Sequence, residues 1–325
     1  MMLTADSQVI VSLCSHIGLT SQPDISPFST REWNVLSKKL GQHGLRPEDL
    51  LQLETEQLDS LIDHNQKMNK RISTLLSRAG SLAIELEQLE SLGVGVVTRV
   101  DEDYPARYKQ RLKENAPVLL FYSGERALLG QPGVAIVGSR NLDEVGEQSA
   151  NFIGNACGLA GLVLYSGGAR GVDSLSMKAA LDARGFAVGI LADSLEKAIR
   201  NPGYRSAIVE RNVCLVTPYS PSAPFNAGNA MGRNRLIYTL ADFAIVVASE
   251  FERGGTWAGA NEALRAGWLP VFVLQHEHMP LGNMKLIERG AIPLPHPFPG
   301  HHSELYQWLQ ANSPDVGPDK QMSLF

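Results

Sequence analysis

The stretch YSGGARGVDSLSMKAAL, residues 165–181, joins an apolar segment to a segment of helical character. The apolar run GLVLY leads into it, so the pattern predicts a β-strand, a glycine-rich turn and an α-helix. Gly167 and Gly168 allow the turn, and Gly171 admits an unusual backbone angle. Free amides and the positive end of a helix dipole favour an anion at such a junction, and Arg170 adds a positive charge.

Two other junctions between an apolar run and a helical segment share this design. They are VAIVGSR, residues 134–140, and ERGGTWAGANEAL, residues 252–264. One glycine-rich turn alone often serves only packing, but three turns with an arginine close to the glycines predict an anion-binding edge. The candidate binding residues of these two junctions are Gly138, Ser139, Arg140, Gly255 and Thr256.

From about residue 94, apolar runs alternate with segments of helical period. The runs are VGVVTRV, PVLLFYSG, GVAIVGSR, GLVLYSGG, FAVGILA, NVCLVTPY, FAIVVASE and LPVFVLQ. Strands that alternate with helices favour a mostly parallel sheet with helices on both faces. Ligands bind such sheets at the carboxyl ends of the strands, so the three turns are expected to meet there.

The first 92 residues have the amphipathic period of several short helices. Ser29 and Glu32 fit a capping box before REWNVLSKKL, and residues 66–90 form a longer amphipathic stretch. The fold class is therefore α/β, preceded by a small all-helical domain. The predicted divisions are a helical domain over 1–92, an α/β domain over 93–296 and a flexible tail over 297–325, in which SELYQWLQ allows a short helix.

The segment GRNR, residues 232–235, adds a fourth basic element, which the pattern places at the start of a helix. Arg233 and Arg235 would be poorly placed against the helix dipole there unless they bind an anion. A solvated basic turn or a structural ion pair is the alternative. Asn234 between them could donate to a phosphate or to a base edge.

The chain has 325 residues, a formal net charge of −5 and a pI of about 5.9. This charge argues against coating a polyanion with the whole surface, but it permits a local basic groove, because phosphate contacts act over roughly 8–10 Å. No apolar run is long enough to span a bilayer and no basic region precedes one at the N-terminus, so a cytoplasmic protein is expected.

The sequence lacks the motifs of common nucleotide and metal enzymes, including GxxxxGK[ST], GxGxxG, HExxH and GxSxG. His276 and His278 form an H-x-H pair after an apolar run, but polar residues surround them. The cysteines are far apart, and Cys157 and Cys214 lie in apolar segments. We therefore expect no cofactor, no metal site and no disulfide.

The glycine-rich turns and the GRNR segment resemble those of the DprA/Smf (DNA-processing protein A) family. The resemblance runs from about Asp101 to Ala291. Ser176-Met177 and Ala248 differ from the family pattern, which identifies a divergent member. The motifs that carry the resemblance are DEDYP at 101–105, VAIVGSR, SGGARGVDSLSMKAAL, RNR at 233–235, GGTWAGANEAL and GNMKLIERGA at 282–291.

The resemblance implies an extended Rossmann-like fold with a SAM-like helical domain before it. It also implies a non-catalytic protein that binds single-stranded DNA, usually forms a homodimer, and hands the DNA to a RecA-type recombinase in natural transformation. With the turn chemistry, it gives these candidate nucleic-acid-binding residues: Gly138, Ser139, Arg140, Ser166, Gly167, Gly168, Arg170, Gly171, Asp173, Lys178, Arg233, Asn234, Arg235, Gly255 and Thr256.

The last five residues, QMSLF, follow the polar stretch SPDVGPDK and resemble the peptide that binds the bacterial DNA polymerase sliding clamp. Gln321 would hydrogen-bond at a pocket rim, while Met322, Leu324 and Phe325 would fill apolar pockets. A tail that packs against its own domain is the alternative.

Two other functions stay open at the level of the sequence. Some relatives of this fold hydrolyse nucleoside monophosphates at the N-glycosidic bond with a PGGxGTxxE motif, but Thr256 and Glu262 are too far apart for that spacing. A nucleotide-binding sensor that signals through the N-terminal helices is the second alternative. Base release from nucleotides, or tight binding of a mononucleotide but not of oligonucleotides, would distinguish them.

Overall fold

The computed structural model describes residues 3–19 and 25–314. The chain folds into two compact units, each built from segments that are not consecutive in sequence. The domain boundaries predicted from the sequence follow chain order and stay predictions. Within the described ranges no helix is both long and apolar enough to cross a membrane. The first unit comprises Met1–Ala127, Asp193–Arg205 and Leu215–Phe225, and the second comprises Leu128–Ala192, Ser206–Cys214 and Asn226–Phe325.

The N-terminal part of the first unit is helical, as its sequence predicts. The capping box is present, because the Ser29 N–H donates to the Glu32 carboxylate at 2.8 Å and the Glu32 N–H donates to the Ser29 hydroxyl at 3.3 Å. The helices are α1 (Ala5–Cys14), α2 (Thr30–Gln42), α3 (Thr55–Leu61), α4 (Gln66–Leu76), α5 (Ala79–Ser91) and α6 (Ala106–Leu112), with 3-10 turns at Pro47–Leu51 and Lys113–Asn115.

The longer amphipathic stretch 66–90 is divided at Ser77 and Arg78 into α4 and α5. The buried Arg78 guanidinium donates to backbone carbonyls of the segment that follows α1, including Ser15 O at 2.8 Å. A continuous helix would not present this side chain to those carbonyls. The apolar core of this region contains Val9, Ile10, Leu13, Phe28, Trp33, Leu36, Leu40, Leu50, Leu58, Leu61, Ile62, Ile72, Leu75 and Val118.

Each of the eight apolar runs contains a β-strand, and the mostly parallel α/β fold with a preceding helical region is confirmed. Strands β1 and β2 pair antiparallel, whereas the second unit has the parallel order β5-β4-β3-β7-β8-β9. The strands are β1 (Gly95–Thr98), β2 (Leu119–Gly124), β3 (Gly133–Val137), β4 (Val163–Ser166), β5 (Phe186–Ile190), β6 (Val213–Thr217), β7 (Phe243–Val246), β8 (Val271–Gln275) and β9 (Ile292–Pro295).

Helices follow most of these strands. Leu305 and Leu309 are buried, so the first part of the expected flexible tail is a packed helix. The helices are α7 (Glu144–Leu159), α8 (Val172–Asp182), α9 (Leu195–Ala198), α10 (Pro202–Val209), α11 (Ala227–Leu240), α12 (Gly254–Ala266), α13 (Leu281–Glu288) and α14 (Leu305–Ala311), with 3-10 turns at Arg126–Gly130 and His302–Glu304.

A buried asparagine on α13 ties the ends of β7 and β8 together. The Asn283 amide donates to Val247 O and Leu274 O, both at 3.0 Å, and its oxygen accepts the Ser249 N–H at 2.8 Å. All polar atoms of this fully buried side chain therefore have partners. The contact fixes the chain as it leaves β7 toward the third glycine-rich turn.

Candidate functional site

The three glycine-rich turns lie together at the carboxyl edge of the parallel strands. The Thr256 hydroxyl donates to Gly138 O at 3.1 Å, which joins the third turn to the first. The Val172 N–H donates to Ser139 O at 3.3 Å, which joins the second turn to the first. We call residues 138–140, 167–171 and 253–256 the loop cluster.

Gly171 allows the first and second turns of the loop cluster to approach each other closely. It has φ of 93°, a left-handed conformation that favours glycine, and a Cβ atom there would lie 2.4 Å from Ser139 O. No other residue fits both the backbone angle and the space. The glycine predicted to admit an unusual angle therefore also sets how closely the first and second turns approach.

Asp173 holds the second turn from below. The sequence suggests that it caps a helix beginning near Ser174, but α8 begins earlier and Asp173 lies inside its first turn. Its carboxylate accepts the N–H groups of Gly167, at 3.1 Å, and of Ala169. Burial raises the pKa of Asp173 to about 6, while the positive charge of Arg233 acts to lower it.

The GRNR segment lies in the middle of α11 and not at the start of a helix, as its sequence suggests. Helix α11 begins at Ala227, and its cap is Asn226, whose side chain accepts the Asn229 N–H at 2.7 Å. The dipole argument for an anion at the two arginines therefore does not apply. Their positions depend instead on what each side chain contacts.

Arg233 packs beneath the second turn. Only 6% of the Arg233 surface is exposed to solvent. A Cβ atom added to Gly167 would lie 1.6 Å from Arg233 Nη1 and 2.4 Å from its Cζ. The absence of a side chain at Gly167 therefore creates the space in which the guanidinium lies.

The next two residues of α11 face α12. The Asn234 amide lies over the start of α12, where a Cβ atom on Gly255 would be 2.2 Å from Asn234 Nδ2. The Arg235 guanidinium lies 3.6 Å from a carboxylate oxygen of Glu262, about two turns further along α12. Three consecutive residues of α11 thus contact the second turn, the beginning of α12 and the outer part of α12.

The predicted site residues differ in their access to a ligand. Arg140, Arg170 and Arg253 are exposed, and of these Arg170 and Arg253 form no ion pair with any residue that the structure describes. Lys178 lies further along α8, where it pairs with Asp182 at 2.5 Å. The Arg170 and Arg253 guanidinium groups are therefore the ones in the loop cluster that are available to an anion.

Two predicted contact residues are beneath the surface. The buried Ser166 hydroxyl donates to Ile136 O at 2.7 Å, and the buried Asp173 carboxylate is occupied by loop amides. Both side chains shape the loop cluster, so a direct contact with a ligand stays a prediction. The sequence pattern does predict polar residues at these two positions, because short polar residues next to glycines are common at such turns.

The histidines of the H-x-H pair do not assemble a metal site with other side chains. No group of three or more His, Cys, Asp or Glu side chains suited to a metal ion occurs within 3–19 and 25–314. His276 instead lies near His296, with ring centroids 6.2 Å apart, and burial lowers the pKa of His276. The QMSLF segment lies outside the described residues.

The chain is similar in sequence and in fold to proteins of one family. Protein Smf of Escherichia coli K12 is 31% identical over 189 residues, which is 56% of this chain and 49% of that protein. This chain therefore matches about half the length of that relative.

Two solved structures have the same fold. The X-ray structure of DNA processing protein A from Streptococcus pneumoniae has a TM-score of 0.66 at 20% identity, covering 94% of this chain and 99% of that one. A structure that describes the single-stranded DNA binding mode of DNA processing protein A from Helicobacter pylori has a TM-score of 0.55 at 23% identity, covering 68% and 97%.

The family model described as DNA recombination-mediator protein A matches residues 95–297, more than half of the chain. The matched range contains all three turns of the loop cluster and the RNR segment of α11. The chain belongs to the DNA recombination-mediator protein A family.

Proposed function

We propose that this protein binds single-stranded DNA at the loop cluster, mainly through the phosphate backbone. The observation that carries the proposal is that Arg170 and Arg253 are exposed, without ion pairs in the described chain, beside two turns linked to a third by hydrogen bonds. Such contacts hold a strand without reading its bases, so sequence preference is weak and affinity falls steeply with salt.

The first experiment replaces Arg170 with Glu. Fluorescence anisotropy with labelled oligo-dT should show a loss of affinity of tenfold or more, because one cation of the loop cluster becomes an anion. The matched control is Arg184→Glu, since Arg184 is also exposed but lies just after the opposite end of α8. Equal affinities for the two variants would place the DNA elsewhere on the protein.

We propose further that the protein is not an enzyme and that it assists a RecA-type recombinase. Family membership supports both points. The carboxylates near the turns support the first one, because Asp173 accepts loop amides and Glu262 pairs with Arg235. The measurement is the lag before recombinase filaments form on DNA coated with single-strand-binding protein. A lag that wild-type protein does not shorten would contradict the recombinase proposal, and base release from a nucleotide would contradict the non-enzymatic one.

A homodimer is the proposed assembly. Leu281 and Met284 on α13 support it, because they are 51% and 42% exposed although they are large apolar side chains. Light scattering should give twice the mass of the chain, and Met284→Glu should shift the mass toward that of one chain. A wild-type protein with the mass of a single chain at micromolar concentration would refute this assembly.

The C-terminal QMSLF is proposed to tether the protein to the sliding clamp, through Gln321, Met322, Leu324 and Phe325. The support is the sequence alone: bulky apolar residues at the end of a polar stretch. Deletion of residues 321–325 should abolish clamp binding in a surface-plasmon-resonance assay and leave DNA affinity unchanged. An undiminished response to the clamp after deletion would exclude this role.

A further inference from the structure

A second basic feature adjoins the loop cluster, on the outer side of α12. A cleft of about 630 Å³ is lined by side chains from α11, α12 and the residue that follows α13. This volume is within the range of sites that hold small molecules or segments of a polymer. We call it the arginine cleft; its lining residues are Arg235, Ala258, Asn261, Glu262, Leu264, Arg265 and Arg289.

The arginine cleft concentrates positive charge in a chain whose net charge is −5. Three of its lining residues carry a guanidinium group, and Glu262 carries the only carboxylate among them. Arg265 lies in the last turn of α12, where the helix dipole favours a cation. Arg235 and Arg289 come from other elements, so the dipole does not account for their convergence on the same cleft.

Arg289 is held in place by neutral partners. The Asn261 amide donates to Trp257 O at 2.9 Å, which orients the amide so that its oxygen accepts from Arg289 Nη1 at 2.5 Å. The Arg289 guanidinium also lies over the Trp257 ring, 4.7 Å from its centroid. These contacts fix the guanidinium without neutralising it, so its charge is preorganised for an anion.

Arg265 offers the arginine cleft a cation that is open to a ligand. It is exposed and forms no ion pair with any residue in the described part of the chain. Arg235, by contrast, belongs both to the arginine cleft and to the RNR segment beside the loop cluster. Its chain neighbour Asn234 lies against Gly255 of the loop cluster, so the arginine cleft begins one residue along α11 from that cluster.

We propose that the arginine cleft binds phosphate groups of a DNA strand that continues from the loop cluster past Arg235. This inference rests on the proposed function, because it extends the same strand to a second set of phosphate contacts. A strand too short to reach beyond the loop cluster would not contact Arg265 or Arg289. The second contact set therefore makes affinity depend on strand length.

The experiment compares labelled oligo-dT of about 6 and about 20 nucleotides; the first is near the lower end of common single-strand site sizes, about 4–16 nucleotides, and the second exceeds them. Arg265→Glu with Arg289→Glu should weaken binding of the long oligonucleotide tenfold or more and change binding of the short one less than twofold. For the long oligonucleotide, the plot of log binding constant against log salt concentration should become less steep by about 1.4, since each of the two lost phosphate contacts contributes about 0.7 to the slope.

Arg265→Glu alone guards against a folding defect, because this exposed side chain forms no ion pair with any residue that the structure describes. It should give part of the same length-dependent loss. Arg184→Glu is the matched control and should bind both lengths as the wild type does. Equal losses for the two lengths, or no loss for the long one, would overturn the arginine cleft as a strand-binding site.

A free nucleotide is the other source of the same phosphate chemistry, and dTMP is the probe for it. The strand proposal expects no dTMP binding at concentrations where the long oligonucleotide saturates the protein. Binding of dTMP that the double variant abolishes, with the long oligonucleotide unaffected, would overturn the proposal. If wild-type protein binds neither oligonucleotide, the proposed function fails as well; if it binds both and the variants match it, only this inference fails.

Discussion

Replacement of Gly167 by Ala tests whether the buried arginine shapes the loop cluster. The new Cβ would lie 1.6 Å from Arg233 Nη1, whereas ordinary contacts begin near 3.4 Å, so the guanidinium would have to move by almost 2 Å. Arg233 is only 6% exposed and has little space into which to move. Overpacking of this kind typically costs about 1–3 kcal/mol.

The assay is urea unfolding, followed by oligo-dT binding on the same preparations. Gly167→Ala should lower the free energy of unfolding by about 1–3 kcal/mol. Gly130→Ala is the control, because a Cβ there meets no atom within 4 Å. We expect the control to change stability by less than about 0.5 kcal/mol.

A double-mutant cycle separates the clash with Arg233 from any other effect of the added methyl group. In an Arg233→Ala background the guanidinium is absent, so Gly167→Ala should cost almost nothing. The same cost in both backgrounds would refute the reasoning. Equal stability of Gly167→Ala and Gly130→Ala in the otherwise wild-type protein would refute it too.

Three further predictions concern Asp173, Asn283 and Thr256. The pKa of Asp173 is about 6 in the folded protein against 3.8 ordinarily, so the folded state binds its proton more tightly. The stability of the wild type minus that of Asp173→Asn should therefore fall by about 3 kcal/mol between about pH 4 and about pH 7. A pH-independent difference in urea unfolding would contradict this. Asn283→Leu leaves three backbone groups without their partner and should cost about 2–4 kcal/mol in thermal unfolding, against about 0.5 or less for the exposed Asn151→Ala. Thr256→Val removes the bond to Gly138 O and should cost about 1 kcal/mol by the same measurement; a variant as stable as the wild type would show that the bond contributes nothing.

Much of the sheet was predictable, because each buried parallel strand leaves a continuous apolar run. The run IPLP at β9 is not predicted as a strand, since two prolines in four residues argue against one. It forms at the end of the parallel order beside β8, where fewer ladder hydrogen bonds are needed. Local pattern alone does not show that an edge position is open.

The meeting of the three turns was predictable from topology, but the division of labour among their residues was not. Arginines at 170 and 233 look alike in sequence, yet one is exposed and the other is buried against Gly167. Arg170 lies in a turn, whereas Arg233 lies in the middle of α11, which begins after the cap at Asn226. Asn283 gave no signal either, because its partners are backbone groups far away in the chain.

Three consecutive residues of helix α11 contact three different parts of the protein. Successive side chains of a helix point about 100° apart. Residues 233, 234 and 235 therefore face three different neighbours, which are Gly167, Gly255 and Glu262. Insertion or deletion of a single residue between Asn226 and this segment would rotate all three away from their neighbours together. The spacing from the cap to the segment is consequently as much a part of the site as the arginines themselves, and redesigned versions of this fold need to preserve it.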